Sequence, residues 1–158
     1  MYTKTLLLSL FLSPVFLFSQ AEPLLGHPLL PSDTGFVFKV TEQMPLFPGC
    51  DNTLEYMKLK QCSDKKMLEF IYGTLRYPED AIEDGIEGMA VVSFIVEKDG
   101  RMTSINATRT VCPSITEESL YIIDVMAMDL PPWRPGMQGG KPVRVHVNLP
   151  IKFRLPRD

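Results

Sequence analysis

From Val143 to Leu155 the chain alternates strictly: Val143, Val145, Val147, Leu149, Ile151, Phe153 and Leu155 fall at every second position, with Arg144, His146, Asn148, Lys152 and Arg154 between them. A period of two belongs to a β-strand, so one face of this segment is committed to a core and the other to solvent. Pro150 sits on the polar side of the alternation. It has no N–H to give to a ladder, so one flank of the strand is expected to be unpaired or bulged. Whatever this chain folds into must contain a sheet with an edge here.

The rest of that sheet lies upstream. Met89 to Val96 is nearly continuous apolar sequence rich in β-branched residues, as suits a central strand. Lys98, Asp99 and Gly100 then signal a hairpin, with Arg101 to Val111 as the return strand. Met102 and Ile105 differ in parity, so both can face the core only if an extra residue bulges between them. Ser114 with Glu117 reads as a capping box for a helix over 115–128, whose face is Leu120, Ile123, Met126, Ala127 and Leu130. Pro131 and Pro132 stop it. A single crossover helix returns the chain antiparallel beside the first strand, giving the spatial order second, first, third. The expected fold class is α+β, a small three-stranded antiparallel sheet with two helices packed on one face and an irregular or helical extension before it.

That extension divides into parts. Met67, Leu68, Phe70, Ile71 and Leu75 recur at helical spacing and predict a helix over 63–73, beginning a domain that runs to 158. Pro78 can open a second short helix that Gly85 ends in a left-handed conformation, with Ile86 packing back. Residues 22–62 are a Pro- and Gly-rich lead-in in which only a short strand, Gly35 to Thr41, is expected. Lys4, the apolar run Leu6 to Phe18 and the small residues of Ser19-Gln20-Ala21 read as a secretory signal peptide over 1–21. The rival is an uncleaved anchor, although this run is well short of the roughly 20 residues a membrane-crossing helix needs. Outside the cytoplasm thiols can be oxidised, so Cys50 and Cys62 are either a local disulfide or two unrelated thiols. Cys112 is left as a packing residue.

The function classes narrow by exclusion. A net charge of −3 gives no global reason to bind nucleic acid. With two histidines and no HExxH, GxSxG or GxxxxGK pattern, neither a metal, a cofactor nor a hydrolytic site is expected, and no residue is assigned a catalytic role. Asp80 with Asp84 and Glu117 with Glu118 sit at helix starts and turns, where carboxylates are capping or solvated. What remains is a local charge asymmetry: Lys141, Arg144, Lys152, Arg154 and Arg157 with no acid among them. Such charges can simply discourage aggregation through an edge strand. Alternatively the edge captures an extended peptide by strand addition, with the basic side chains steering an acidic or polar guest. On that reading the peptide-binding residues are Val143, Arg144, Val145, His146, Val147, Asn148, Leu149, Lys152 and Arg154, and Val145→Pro or Val147→Pro should abolish capture.

The segments YPEDAIEDGIEG, MAVVSFIVEKDGRM, SITEESLYIIDVM, PPWRPGMQGGKPV and VNLPIKFRL, in this order and spacing over 77–155, resemble the C-terminal domain of TonB, the periplasmic energy transducer. The resemblance implies a small antiparallel sheet with two helices on one face. It also implies that the backbone of Val143 to Leu155 grips the TonB box, a short peptide of outer-membrane receptors, in energy-coupled transport, with inner-membrane motor proteins as further partners. The expected location is the periplasm, or the inner membrane if the N-terminal segment stays as an anchor. Two departures qualify this. Transducers carry a membrane-spanning anchor and a long proline-rich arm, and their absence here leaves open a soluble adaptor or competitor that binds the same peptides without transmitting force. Members also carry a glutamine just before the YP pair, where this chain has Gly73, Thr74, Leu75 and Arg76. The same edge could equally pair with a second copy of the chain. MPLFPGCDN and KKMLEFIYGTLRYP are similar to the lead-in of Bacteroidetes-type TonB-domain proteins, which implies the Cys50 to Cys62 bridge.

Overall fold

The most apolar strand does lie inside the sheet. In the computed structural model, which describes residues 35–155, the elements in chain order are β1 (Val37–Phe38), α1 (Tyr56–Thr74), α2 (Glu79–Glu83), β2 (Gly88–Val96), β3 (Met102–Arg109), α3 (Pro113–Asp129), β4 (Gly136–Gln138) and β5 (Lys141–Phe153). The expected leader over 1–21 and Arg157 fall outside the described residues. Strand β2 pairs antiparallel with β3 on one flank and with β5 on the other. The expected order of the three main strands is therefore the observed one.

The sheet has five strands rather than three, in the order β1-β5-β2-β3 with β4 also paired to β5. The two extra strands are two and three residues long, too short for an alternation to show. They form because neighbouring backbone fixes them. Gly139 and Gly140, both at positive φ, turn β4 tightly into β5, and Glu42 of the lead-in accepts hydrogen bonds from the Gln138 side chain and the Gly139 amide. Leu46 and Arg134 exchange backbone hydrogen bonds at 3.0 and 2.9 Å. The described part of the lead-in thus builds onto the sheet at several points.

The hairpin closes through a three-residue loop: the Glu97 amide donates to the Arg101 carbonyl and the Gly100 amide to the Glu97 carbonyl, both at 2.9 Å, with Gly100 at φ +84°. The expected bulge is present. The β2–β3 register shifts between Ser93↔Asn106 and Ile95↔Thr103, and Ser104 takes φ +53°. A second shift follows between Val91 and Val92.

Alternate residues of β2 and β5 bury Ala90, Val92, Phe94, Val96, Leu149, Ile151 and Phe153 in one core with Ile115, Ile122, Ile123 and Met126 of α3 and Ile71 of α1, and Val145 of β5 is buried as well. Helix α1 begins at Tyr56, seven residues before the expected start at 63. In its first turns Tyr56, Met57 and Leu59 alternate with Lys58, Lys60 and Gln61 and Ser63 then interrupts the apolar face, so periodicity hid them; Leu59 in the core and the bond between Cys50 and Cys62 hold them in place. Helix α3 begins at Pro113 with Cys112 as N-cap and no side-chain capping bond. The Ser114 to Glu117 box is not formed, because Pro113 already supplies the first helical residue. In α2, Pro78 is the N-cap rather than the first helical residue, and the Ile86 amide reaches back to the Ala81 carbonyl past Gly85 at φ +66°.

The disulfide ties the lead-in to α1. Reducing it should cost about 2 to 3 kcal/mol, the chain-entropy expectation for a short loop. Urea unfolding of a Cys112→Ser protein with and without reductant measures the difference; identical midpoints would show that packing alone positions the segment.

Candidate functional site: the outer edge of β5

The hairpin fixes which way each backbone group of the sheet points. Because the Glu97 amide donates toward Arg101, the odd positions of β2 turn their N–H and C=O groups to β3 and the even positions turn theirs to β5. The β2–β5 register is uninterrupted from Gly88↔Phe153 to Val96↔Val145. Val145, Val147, Leu149, Ile151 and Phe153 therefore bond inward. Arg144, His146, Asn148, Pro150 and Lys152 turn their backbone groups outward. The missing N–H of Pro150 falls on the outer flank, which explains how a proline persists in a strand of 13 residues.

The outer flank is partly occupied. Strand β1 runs parallel to β5 with Val37 opposite Arg144 and Phe38 opposite Val145, so Phe38 lies between the outward groups of Arg144 and His146. On the inner flank β4 takes over beyond Val96, with Gly136 opposite Val143. Among the described residues, the stretch of β5 from Asn148 to Lys152 has no strand along its outer side. The sheet's other border, β3, carries both register shifts and the positive-φ Ser104. A regular guest strand fits β5 and not β3.

The charge pattern is also partly consumed internally. Arg144 and Glu97 face each other across the non-hydrogen-bonded positions of the β2–β5 register. The guanidinium donates to both carboxylate oxygens, at 2.6 and 2.9 Å, and to the Gly35 carbonyl at 3.2 Å. The Thr103 hydroxyl adds a 2.6 Å bond to the same carboxylate. The two side chains are only 15 % and 10 % exposed. The Arg144 hydrogen bonds, opposed by burial and helped by Thr103, hold the Glu97 carboxyl below its ordinary value. Arg144 is thus engaged within the fold.

The residues singled out in the sequence separate into three groups. Val145 and Leu149 are buried, and Val143 and Val147 are half-buried on the same face. Arg144 is engaged with Glu97. His146, Asn148 and Lys152 lie on β5 and Arg154 just past its end, with Asn148, Lys152 and Arg154 exposed. At the far end of the free stretch Lys152, Phe153 and Arg154 join Tyr72, Leu75 and Tyr77 around a groove of about 350 Å³. Tyr77 fixes this corner, its ring edge-on to Phe153 and its hydroxyl bonded to the Ile86 carbonyl. Tyr72 lies in the last turn of α1, outside the apolar spacing Met67, Leu68, Phe70, Ile71 and Leu75 that marks the helix, so periodicity does not single it out. A groove of about 430 Å³ beside Trp133 and Cys50 lies away from this edge and contains no nucleophile with a base beside it.

A family model described as Gram-negative bacterial TonB protein C-terminal matches residues 74–155. No curated protein matches the chain. Similar solved structures include the Helicobacter pylori TonB C-terminal domain in two lengths. One is 27% identical, covering 70% of this chain and 89% of that one, with a TM-score of 0.47. The other is 30% identical, covering 60% and 95%, with a TM-score of 0.45. The Pseudomonas aeruginosa TonB C-terminal domain is 26% identical, covering 52% and 80%, with a TM-score of 0.38.

Proposed function

Since this chain belongs to the family of the Gram-negative bacterial TonB C-terminal domain, a non-enzymatic protein-interaction domain, we propose that it receives a short extended peptide of an outer-membrane receptor along the outer edge of β5. The role is that of a periplasmic partner in energy-coupled transport. One observation supports this reading: among the described residues, the outward backbone groups of Asn148, Pro150 and Lys152 have no strand beside them, on a border more regular than that of β3. Strand addition would supply affinity through main-chain bonds. Lys152 and Arg154 beside the groove at Tyr72 favour a guest that places an acidic or polar group near an apolar side chain.

The parity of β5 decides how this is tested. The amides of Val145 and Val147 bond inward to β2, so proline at either position would break the sheet and lose binding for the wrong reason. Asn148 turns its amide outward, and Pro150 shows that the strand tolerates proline on this flank. Asn148→Pro should therefore weaken binding of a receptor N-terminal peptide about thirtyfold, roughly 2 kcal/mol for a lost hydrogen bond and a steric block, while the melting temperature holds. Fluorescence anisotropy with a labelled peptide reads the affinity. Equal binding by the variant and the unaltered protein would remove β5 as the receiving edge.

A further inference from the structure

The edge that receives the guest is already begun by the chain itself. Val37 and Phe38 pair with β5 over two residues, and neither side chain is buried. Around them Phe36 is 77 % and Val40 78 % exposed, and among the described residues before α1 the chain is buried only at Pro45, Leu46 and Phe47. Besides the strand bonds, the Arg144 guanidinium donates to the Gly35 carbonyl, whereas the edge-on contact of the Phe36 and Phe38 rings at 4.8 Å lies within the segment itself. A segment with few buried contacts and exposed backbone bonds opens far more readily than the core.

We infer that Gly35 to Val40 is a displaceable clip on the receiving edge, and that a guest longer than the free stretch binds by taking the place of Val37 and Phe38. The inference rests on the reading of β5 as the receiving edge and adds a regulation to it. Removal of the clip frees the outward groups of Arg144 and His146 and lengthens the edge from Asn148–Lys152 to Arg144–Lys152. The Arg144 to Glu97 pair stays intact throughout. Glu42, held to Gln138 and Gly139, keeps the clip tethered close to its seat, so it re-forms at high effective concentration. The guest's apparent affinity is reduced by the fraction of molecules in which the clip is closed.

Anisotropy titrations of the unaltered protein, Phe38→Pro and Asn148→Pro with a labelled receptor N-terminal peptide test this. Phe38→Pro removes an amide from the clip and no core contact, and it should bind at least about fivefold tighter than the unaltered protein. Amide hydrogen exchange of the unaltered protein should show Phe38 losing protection as the peptide saturates. If Phe38→Pro binds no tighter, or Phe38 stays protected in the complex, while Asn148→Pro loses binding, the edge reading stands and the clip is overturned. If Asn148→Pro binds like the unaltered protein, the edge reading fails and the clip falls with it. A synthetic peptide of residues 35–40 gives an arm independent of any receptor: it should bind Phe38→Pro and not the unaltered protein, and binding to both or to neither overturns the clip.

Discussion

Gly100→Ala should destabilise the domain by about 4 kcal/mol or more, a large share of the total stability of a domain this size. Gly100 closes the β2–β3 hairpin at φ +84°, where an L side chain is strained by about 1 to 2 kcal/mol. Space is the larger problem. A Cβ at this position would be driven into the carbonyl oxygen of Trp133, with the Trp133 carbonyl carbon at 3.0 Å and Pro132 Cβ at 3.1 Å. None of these is a side chain that can swing away. Moving the loop would break the bond from the Trp133 amide to the Gly100 carbonyl at 2.9 Å. It would also disturb an indole packed edge-on against Phe47 of the lead-in and Phe94 of β2, each at 5.6 Å. Chemical denaturation followed by far-UV circular dichroism should show a midpoint shifted by most of its range; a shift corresponding to under 1 kcal/mol would mean that the loop relaxes freely.

Glu97→Ala should cost about 3 kcal/mol, because it strands the Arg144 guanidinium, largely withdrawn from water, without its counter-ion. Glu97→Gln keeps the shape and some of the hydrogen bonds, so it should cost less. The pH dependence has a definite sign. The carboxyl is held below its ordinary value of 4.5 in the folded protein. Its contribution is therefore fully present above that value and is lost as the pH falls through the depressed one. The unaltered protein should lose stability on acidification below about pH 4.5, and Glu97→Gln should lose less over the same interval. Parallel acid limbs in urea titrations would show that other carboxylates dominate.

The strand order, the hairpin and the Ser104 bulge were legible because each has its own local signature: a β-branched run, a DG turn and a parity conflict. Strands β1 and β4 were not, since alternation needs more residues than they possess and their pairing depends on where the lead-in docks. The start of α1 was hidden for a related reason, as a disulfide and one buried leucine hold turns whose apolar residues do not extend the helical spacing further along. Glu97 was within reach of the sequence. Once β5 is placed antiparallel beside β2, Glu97 and Arg144 fall opposite each other, and a basic strand beside an acid at a hairpin mouth suggests a pair. The alternation of β5 by itself places Arg144 among the solvent-facing cations. The same parity would have shown that proline at Val145 or Val147 tests folding rather than binding.

The irregular border at β3 has a consequence for self-association. With that side bent by two register shifts, the sheet can grow in one direction alone. If two copies met along β5 they would use the same patch on each, and the contact would close at a pair with no second flank to carry it onward. Geometry thus works against polymerisation into a continuous β-fibre.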